Sequence, residues 1–256
     1  MPRLTAIIPT FNEQDNIAEA IASVSFADEI LIVDSFSTDN TISIASQFEK
    51  VRIIQREYGY SASQKNWAIP QATYEWVFLL DADERVTEAL KAEILQTIQK
   101  PAKHVAFCIN RSNVFMGKPL KYVWKNDSVI RLFKRDYCRY EDKNVHAEII
   151  AQGSVGNLKN SLVHDTYQYK GLESHLQKNY RYSTWAAHDK LHKTGSVNLF
   201  HLAIKPAAAF LKRYIVQLGF LDGKPGFIIS VFGAWSVFLR YVKIWRMQQG
   251  EKIDKK

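Results

Sequence analysis

The sequence predicts an α/β protein, a mostly parallel sheet flanked by helices with a C-terminal helical extension. Three observations predict it. Short apolar runs alternate with helically spaced stripes through the first hundred residues, polar clusters stand at the ends of those runs, and cations and aromatics gather near the C-terminus. Strand–helix alternation at this spacing implies crossover connections, hence parallel strands covered on both faces.

Taken in order, Leu4–Ile8 is a first short strand, and Asn12 is placed to cap a helix whose stripe is Ile17, Ile21 and Val24. Glu29–Val33 is the second strand, followed by a helix with Ile42, Ala45 and Phe48 on one side. Val51–Gln55 is the third strand and Ser61–Ala72 the next helix. Trp76–Leu80 is the fourth strand, and Leu90, Ile94 and Ile98 mark the helix after it, which Glu84 is expected to open because an acid suits a helix N-terminus. From about 101 to 165 the pattern changes to short extended pieces, with Lys118-Pro119 and Gln152-Gly153 as turns. A helix follows over Leu172–His192, with Leu172, Leu176, Tyr180, Ala187 and Leu191 on its apolar side. The tail from Leu199 reads as two helices broken at Asp222–Gly226. The division expected is a core over 1–165, its acceptor-side half starting near 101, and a helical extension over 166–256.

At 256 residues the chain is long enough to bury a full core. Two cysteines, Cys108 and Cys138, make neither a zinc-like spacing nor a disulfide framework, and the N-terminus lacks a secretory apolar region, so a cytoplasmic setting is expected. The net charge of +8 is uneven: from Lys205 onward ten Lys and Arg face three acids. These cations are interleaved with Phe210, Tyr214, Phe227, Trp235, Tyr241 and Trp245, a mixture suited to an anionic membrane surface, while a packed helix pair with a solvated basic face is the plainer alternative. The longest uncharged apolar run there, Gly226–Leu239, has 14 residues, short of the roughly 20 a bilayer-spanning helix needs. Nucleic-acid binding is disfavoured because the charge lies with an apolar tail. A dinucleotide-dependent oxidoreductase is disfavoured because no Gly-x-Gly-x-x-Gly follows the first strand.

Asp81-Ala82-Asp83 rides directly on the apolar run Trp76–Leu80. Two carboxylates one residue apart at a strand end can divide labour, one on a hard divalent cation such as Mg²⁺ or Mn²⁺ and the other near a substrate hydroxyl. Alone, such a turn is usually solvated punctuation. In parallel sheets, however, ligands sit beyond the carboxyl ends of the strands. Pro9–Glu13, Asp34–Asp39 and Asp81–Glu84 all fall on that rim.

Thr5–Glu13, Ile32-Val33-Asp34-Ser35 and Leu80–Glu84 resemble the family 2 glycosyltransferases of GT-A fold. Arg131-Leu132-Phe133, Asn144-Val145-His146, Val163–Tyr167 and Gly219–Gly223 are similar to the lipopolysaccharide-core branch, and together these segments cover nearly the whole chain. The resemblance implies an inverting transfer of a sugar from a nucleotide-sugar donor, UDP by family habit, to a lipid-linked or lipopolysaccharide-core glycan of the cell envelope. It implies Mn²⁺ or Mg²⁺ as cofactor and a peripheral place on the inner face of the cytoplasmic membrane.

The roles implied are these. Pro9, Thr10, Asn12 and Glu13 form a first nucleotide-contacting loop, and Asp34 accepts from the base or ribose, unless it is a turn former. Lys65 neutralises a phosphate or is a solvated helix lysine. Asp81 faces the ribose or donor sugar, and Asp83 ligates the metal. His164 is a third metal ligand or a carbonyl-bound structural histidine. The family's acidic base is expected about sixty residues beyond the Asp-x-Asp, but Asn144-Val145-His146-Ala147-Glu148 puts Ala147 where an acid might stand. Glu148 is therefore the first choice for the base and Glu141-Asp142 the reserve, while His146 either orients the base or the acceptor or is a satisfied structural histidine. Two other readings stand beside this one: a non-catalytic nucleotide-sugar-binding or assembly protein, and a nucleotidyltransferase, which Pro-Thr-Phe-Asn-Glu in place of a Gly-rich loop disfavours.

Overall fold

The structure, a computed structural model, describes residues 2–101, 103–125, 127–143, 147–165 and 171–254. It divides into two compact units, Met1–Ser112 with Asn126–Asp165, and Asn113–Lys125 with Thr166–Lys256.

In the first unit, β1 (Leu4–Thr10), β2 (Glu29–Asp34), β3 (Val51–Gln55) and β4 (Trp76–Leu79) form a parallel sheet in the order 3-2-1-4. Chain order reverses across β1, which opens a ligand crevice at the carboxyl ends. Alternate residues of each strand face opposite layers. Ala6, Ile8, Ile30, Ile32 and Phe78 pack with Ile17 and Ile21 of α1 (Ile17–Ser23) and with Leu90 and Ile94 of α4 (Glu88–Gln99). Ile7, Leu31, Val33, Val77 and Leu79 pack on the other side with Ala68 of α3 (Ser61–Ala68) and Ile69. The short α2 (Thr41–Ala45) follows β2. Antiparallel strands widen the sheet: β8 (Ser128–Lys134) pairs with β4 and with β6 (Ala106–Phe115), and β12 (Leu162–Asp165) pairs with β5 (Glu84–Arg85). A parallel strand, β11 (Val155–Asn157), also joins β6, and β9 (Cys138–Tyr140) makes a separate ribbon with β10 (Ile149–Ala151).

Several local expectations are corrected. Asn12 does not cap α1: it sits at φ 53° inside the loop, and Asn16 precedes the helix. The helix expected to run to Ala72 tightens into a 3₁₀ turn at Ile69–Gln71, where Pro70 has no N–H to continue an α-helical ladder. Glu84 opens no helix; it is a fully buried strand residue, and α4 starts later with Thr87 Oγ1 accepting from Leu90 N–H at 3.2 Å.

The second unit contains the end of β6, β7 (Lys118–Pro119), α5 (Gly171–Leu191), α6 (Lys205–Leu211) and α7 (Gly223–Gln248). Lys118-Pro119 is a strand, not a turn: Val114 pairs with Pro119, and the chain reverses at Met116 and Gly117, both at positive φ, as tight hairpins require. Wider π-helical turns flank α6 at Phe200–Ile204 and Lys212–Val216. The break expected at Asp222–Gly226 falls one step earlier, at Leu218 and the 3₁₀ turn Gly219–Asp222. Pro225 lies in the first turn of α7, where its missing N–H costs nothing. There Gly226 is required, because a Cβ would meet Gly219 O at 2.0 Å.

The stretch Gly219–Gln248 is long and apolar enough to cross a membrane by length and composition, so the 14-residue uncharged run understated it. The face of α5 also differs from expectation. Ala187 is buried as expected, but Leu172, Leu176 and Tyr180 are exposed, while Ser183, Thr184 and Trp185 are buried. The buried ammonium of Lys243 on α7 explains this. It donates to Tyr180 O at 2.7 Å, Ser183 Oγ at 2.8 Å and Thr184 Oγ1 at 2.7 Å, so a polar patch of α5 has to face inward.

Candidate active site

At the carboxyl end of the parallel sheet, the loops after β1 and β2 are stitched together. Asn12 N–H donates to Ser37 Oγ at 2.9 Å, Thr38 N–H donates to Asn12 Oδ1 at 2.8 Å, and Glu13 N–H donates to Thr41 Oγ1 at 2.8 Å. Pro9 pairs in register with Val33 and Thr10 with Asp34. Asp34 is fully buried and accepts from Thr10 Oγ1 at 3.2 Å, Ser37 N–H at 2.9 Å, Ser37 Oγ at 2.5 Å and Gln55 Nε2 at 3.0 Å. A carboxylate has about four lone-pair sites, and all are taken. Asp34 thus shapes the loop after β2. That loop holds Phe36 at φ 59°, a conformation that is unusual for a bulky side chain. Phe36 and Phe11 are both about half exposed on this rim.

The Asp-x-Asp turn follows β4. Asp81 Oδ1 lies 2.8 Å from Lys65 Nζ, and Asp81 Oδ2 lies 2.5 Å from Arg131 Nη2. Lys65 comes from α3 and is buried, and its ammonium lies 5.4 Å from the centre of the Tyr140 ring. Burial opposes the charge on Asp81, but Arg131 and then Lys65 outweigh it and hold its carboxyl well below the ordinary aspartate value of 3.8. Burial likewise opposes the charge on Lys65, and Asp81 reverses the balance, so its pKa is raised. Arg131 also binds Glu84 Oε1 at 2.6 Å, and Glu84 Oε2 accepts Asp81 N–H at 3.0 Å. Arg111 continues the network, 3.6 Å from Glu84 and 2.6 Å from Asp127.

The other carboxylate has a different neighbour. Register β12–β5 aligns His164 with Glu84, and Asp165 N–H donates to Asp83 O at 3.0 Å. Asp83 Oδ2 and His164 Nε2 consequently face each other at 3.6 Å. One carboxylate and one imidazole side by side suit a hard or borderline divalent cation that takes its remaining ligands from phosphate oxygens and water. Among the described residues, no third His, Cys, Asp or Glu completes a metal cluster.

The acceptor-side candidates sit around α3 and the β9–β10 ribbon. Asn66 clamps β9, its Nδ2 donating to Tyr140 O at 2.9 Å and its Oδ1 accepting Tyr140 N–H at 2.7 Å. Tyr60, the residue before α3, donates its hydroxyl to Asp142 Oδ1, which raises the tyrosine pKa. Glu141 N–H donates to Glu148 O at 2.9 Å, so both acids lie at the open end of the ribbon, with Asp142 and Glu148 exposed. Glu141 is engaged by Lys143 at 2.7 Å. His146 lies outside the described residues.

Sequence reasoning quoted Arg131 within a motif but gave it no place in the site, and it misplaced Glu84. The available signal was a charge in Val129–Phe133, a run otherwise fit for burial, since a buried charge demands a partner. Phe11 and Phe36 were passed over because an exposed loop aromatic has no periodic signature.

A parallel sheet of order 3-2-1-4, antiparallel additions beyond β4 and an acidic turn at its carboxyl end define a GT-A type transferase fold. Residues 5–151 match the family described as Glycosyl transferase family 2, and the chain belongs to that family as a glycosyltransferase. It is 28% identical over 254 residues to the lipopolysaccharide core biosynthesis glycosyltransferase LpsC of Rhizobium meliloti, covering 95% of this chain and 92% of the relative. It is 29% identical to an uncharacterized glycosyltransferase of Rickettsia prowazekii, covering 95% and 87%. Among solved structures, Staphylococcus aureus TarS 1–349 in complex with UDP-GlcNAc superposes with a TM-score of 0.51 at 16% identity, covering 97% of this chain and 92% of that one. The mannosyltransferase PcManGT of Pyrobaculum calidifontis, in complex with GDP-Man and Mn²⁺, gives 0.51 at 18% identity, covering 96% and 86%. These likenesses establish the GT-A fold.

Proposed function

We propose that this glycosyltransferase is inverting and metal-dependent, and that it moves a sugar from a nucleoside-diphosphate sugar to a lipid-linked or lipopolysaccharide-core glycan at the inner membrane surface. The observation that carries the reading is the division of labour in the turn after β4. Asp81 is locked ionised between Lys65 and Arg131, while Asp83 faces His164. In this reading residues 1–165 carry the transfer and 166–256 hold the enzyme at its substrate.

Thr10, Asn12 and Glu13 present the loop to the nucleotide, and the rings of Phe11 and Phe36 offer stacking surface for a base. Asp81 orients the ribose or donor sugar by accepting its hydroxyls. Lys65 and Arg131 keep that carboxylate charged, and Lys65 adds positive charge beside the diphosphate. Asp83 and His164 would hold Mn²⁺ or Mg²⁺, which supplies charge stabilisation to the leaving diphosphate. The acceptor hydroxyl oxygen forms its bond to the anomeric carbon as the bond to the diphosphate oxygen breaks, and one in-line displacement inverts the centre. The hydroxyl proton passes to a carboxylate of the ribbon end, Glu148 first and Asp142 in reserve.

Two features support the membrane placement: the similarity to a lipopolysaccharide core transferase, and the exposed apolar residues of the second unit, among them Leu199, Val216, Phe220 and Trp235. The test is a binding and hydrolysis screen of nucleotide sugars with Mn²⁺ or Mg²⁺, comparing wild type with Asp83→Ala. Metal-dependent binding of one donor, lost in the variant, is expected. Binding of no donor with either metal refutes the reading.

A further inference from the structure

The second unit holds a pair of guanidinium groups that the transfer reaction does not use. Arg213 lies in the π-helical turn that follows α6, and its guanidinium is laid flat on the backbone of α7 at Gly233. A Cβ there would come within 2.6–2.7 Å of Arg213 Cζ, Nε and Nη1. Its hydrogen bond among the described residues is long, Nη1 to Ala209 O at 3.5 Å. Arg240, seven residues further along α7, is half-buried, with its Nε buried and unpartnered among the described residues. The two charges sense each other: burial and then Arg240 both weaken the hold of Arg213 on its proton.

No carboxylate of the described residues pairs with either arginine. Asp222 is occupied by the N–H groups of Lys121, Tyr122 and Val123, and Glu251 is paired with Arg246. More positive charge gathers at Tyr241, whose ring lies 5.1 Å from the Arg240 guanidinium. Lys205 Nζ donates to Tyr241 Oη at 2.9 Å, and Lys205, Arg240 and Lys190 all act on that phenol. Two half-buried guanidiniums without an anion are costly to the fold, and their forked donors fit phosphate. The same unit exposes large apolar side chains: Leu199 is 79% exposed and Val216 74%.

We propose that Arg213 and Arg240 form a binding site for the phosphate of an anionic phospholipid, seated in the exposed apolar face of the C-terminal helices. Side chains such as Leu199, Val216 and Trp235 enter the interface, and the arginine pair grips a headgroup phosphate at its level. This rests on the reading that the second unit lies on a membrane. It adds that the contact is made through a defined pair and not through diffuse charge.

The experiment is vesicle flotation of the full-length protein with phosphatidylcholine vesicles and with phosphatidylcholine vesicles containing phosphatidylglycerol. Wild type is compared with R213Q/R240Q, with the charge-matched surface control K212Q/K224Q, and with R213K/R240K, which keeps the charge and removes the fork. Binding to the anionic vesicles is expected to fall at least about tenfold in R213Q/R240Q, because the forked donors are lost along with the charge. It should fall less in the lysine control and to an intermediate level in R213K/R240K, with circular dichroism unchanged. Should R213Q/R240Q fail to fold, R213K/R240K carries the test. Arginine variants that bind within twofold of wild type, or no worse than the lysine control, overturn the site while leaving membrane binding standing. Failure of the wild type to float with either vesicle overturns the membrane reading and the site with it. Calorimetric binding of inorganic phosphate or pyrophosphate that is lost in R213Q/R240Q, in a protein that does not float, assigns the pair to a soluble phosphate compound and overturns the lipid.

Discussion

Arg131 reaches Asp81 at 2.5 Å with the same Nη2 that lies 2.6 Å from Glu84, so one buried nitrogen ties the Asp-x-Asp turn to a fully buried acid. The turn is therefore clamped from behind, by charge, and its geometry does not depend on loop packing alone.

Arg131→Met should consequently cost stability as well as activity. It leaves Glu84, at 0% exposure, with the Asp81 N–H and, as its remaining cation among the described residues, Arg111 at 3.6 Å. Removing one partner of a buried pair typically costs about 3–5 kcal/mol. Urea unfolding should show a loss of that order, and a loss under about 1 kcal/mol would show the clamp to be dispensable.

Glu148→Gln should lower kcat by about a hundredfold or more while donor binding is kept, as removal of a general base does. The paired variant is Asp142→Asn, whose carboxylate is held by Tyr60. Single-turnover transfer separates the two: whichever variant retains near-normal kcat is not the base.

Glu29 offers a pH test away from the site. It accepts from Thr5 Oγ1 at 2.7 Å, Thr73 N–H and Oγ1 at 2.8 Å each, and Arg52 Nε at 2.8 Å. Burial pushes its pKa up, but these four donors outweigh it and the value is lowered from 4.5. Between the lowered folded value and 4.5 the unfolded chain binds more protons, so stability rises with pH there. The stabilisation is complete above 4.5 and is lost as pH falls through the folded value. Thermal melts of wild type and Glu29→Gln should converge on acidification, and curves that stay parallel would remove Glu29 from the acid response.

Asp222→Ala should loosen the second unit. Its carboxylate collects three consecutive N–H groups, Lys121 at 2.8 Å, Tyr122 at 3.1 Å and Val123 at 3.0 Å. Leaving such donors unmet costs about 1–3 kcal/mol. Hydrogen exchange at residues 121–123 should accelerate, and unchanged protection would show the segment to be held by Leu120 and Val123 packing instead.

Much of the first unit was legible from residue pattern. Runs such as Leu4–Ile8 and Val51–Gln55 are too short and too β-branched for helices, and their strands appear where expected. Errors cluster where one residue type serves two roles. Glu84 suits a helix start as well as a buried ion pair, and Pro225 suits a break as well as a first helical turn. The polar face of α5 was illegible because its cause, Lys243, stands sixty residues away.

The sequence by itself determined the parallel sheet and the placing of Pro9–Glu13, Asp34 and Asp81–Asp83 on one rim, because strand periodicity and crossover geometry are local properties of the chain. Only the tertiary structure decided that Asp34 spends its lone pairs on Thr10, Ser37 and Gln55, that Lys65 and Arg131 converge on Asp81, and that β12 sets His164 beside Asp83. Those facts depend on the register and on side-chain reach between strands distant in sequence. Such pairings arise from the net balance of burial against charge, which no single segment carries.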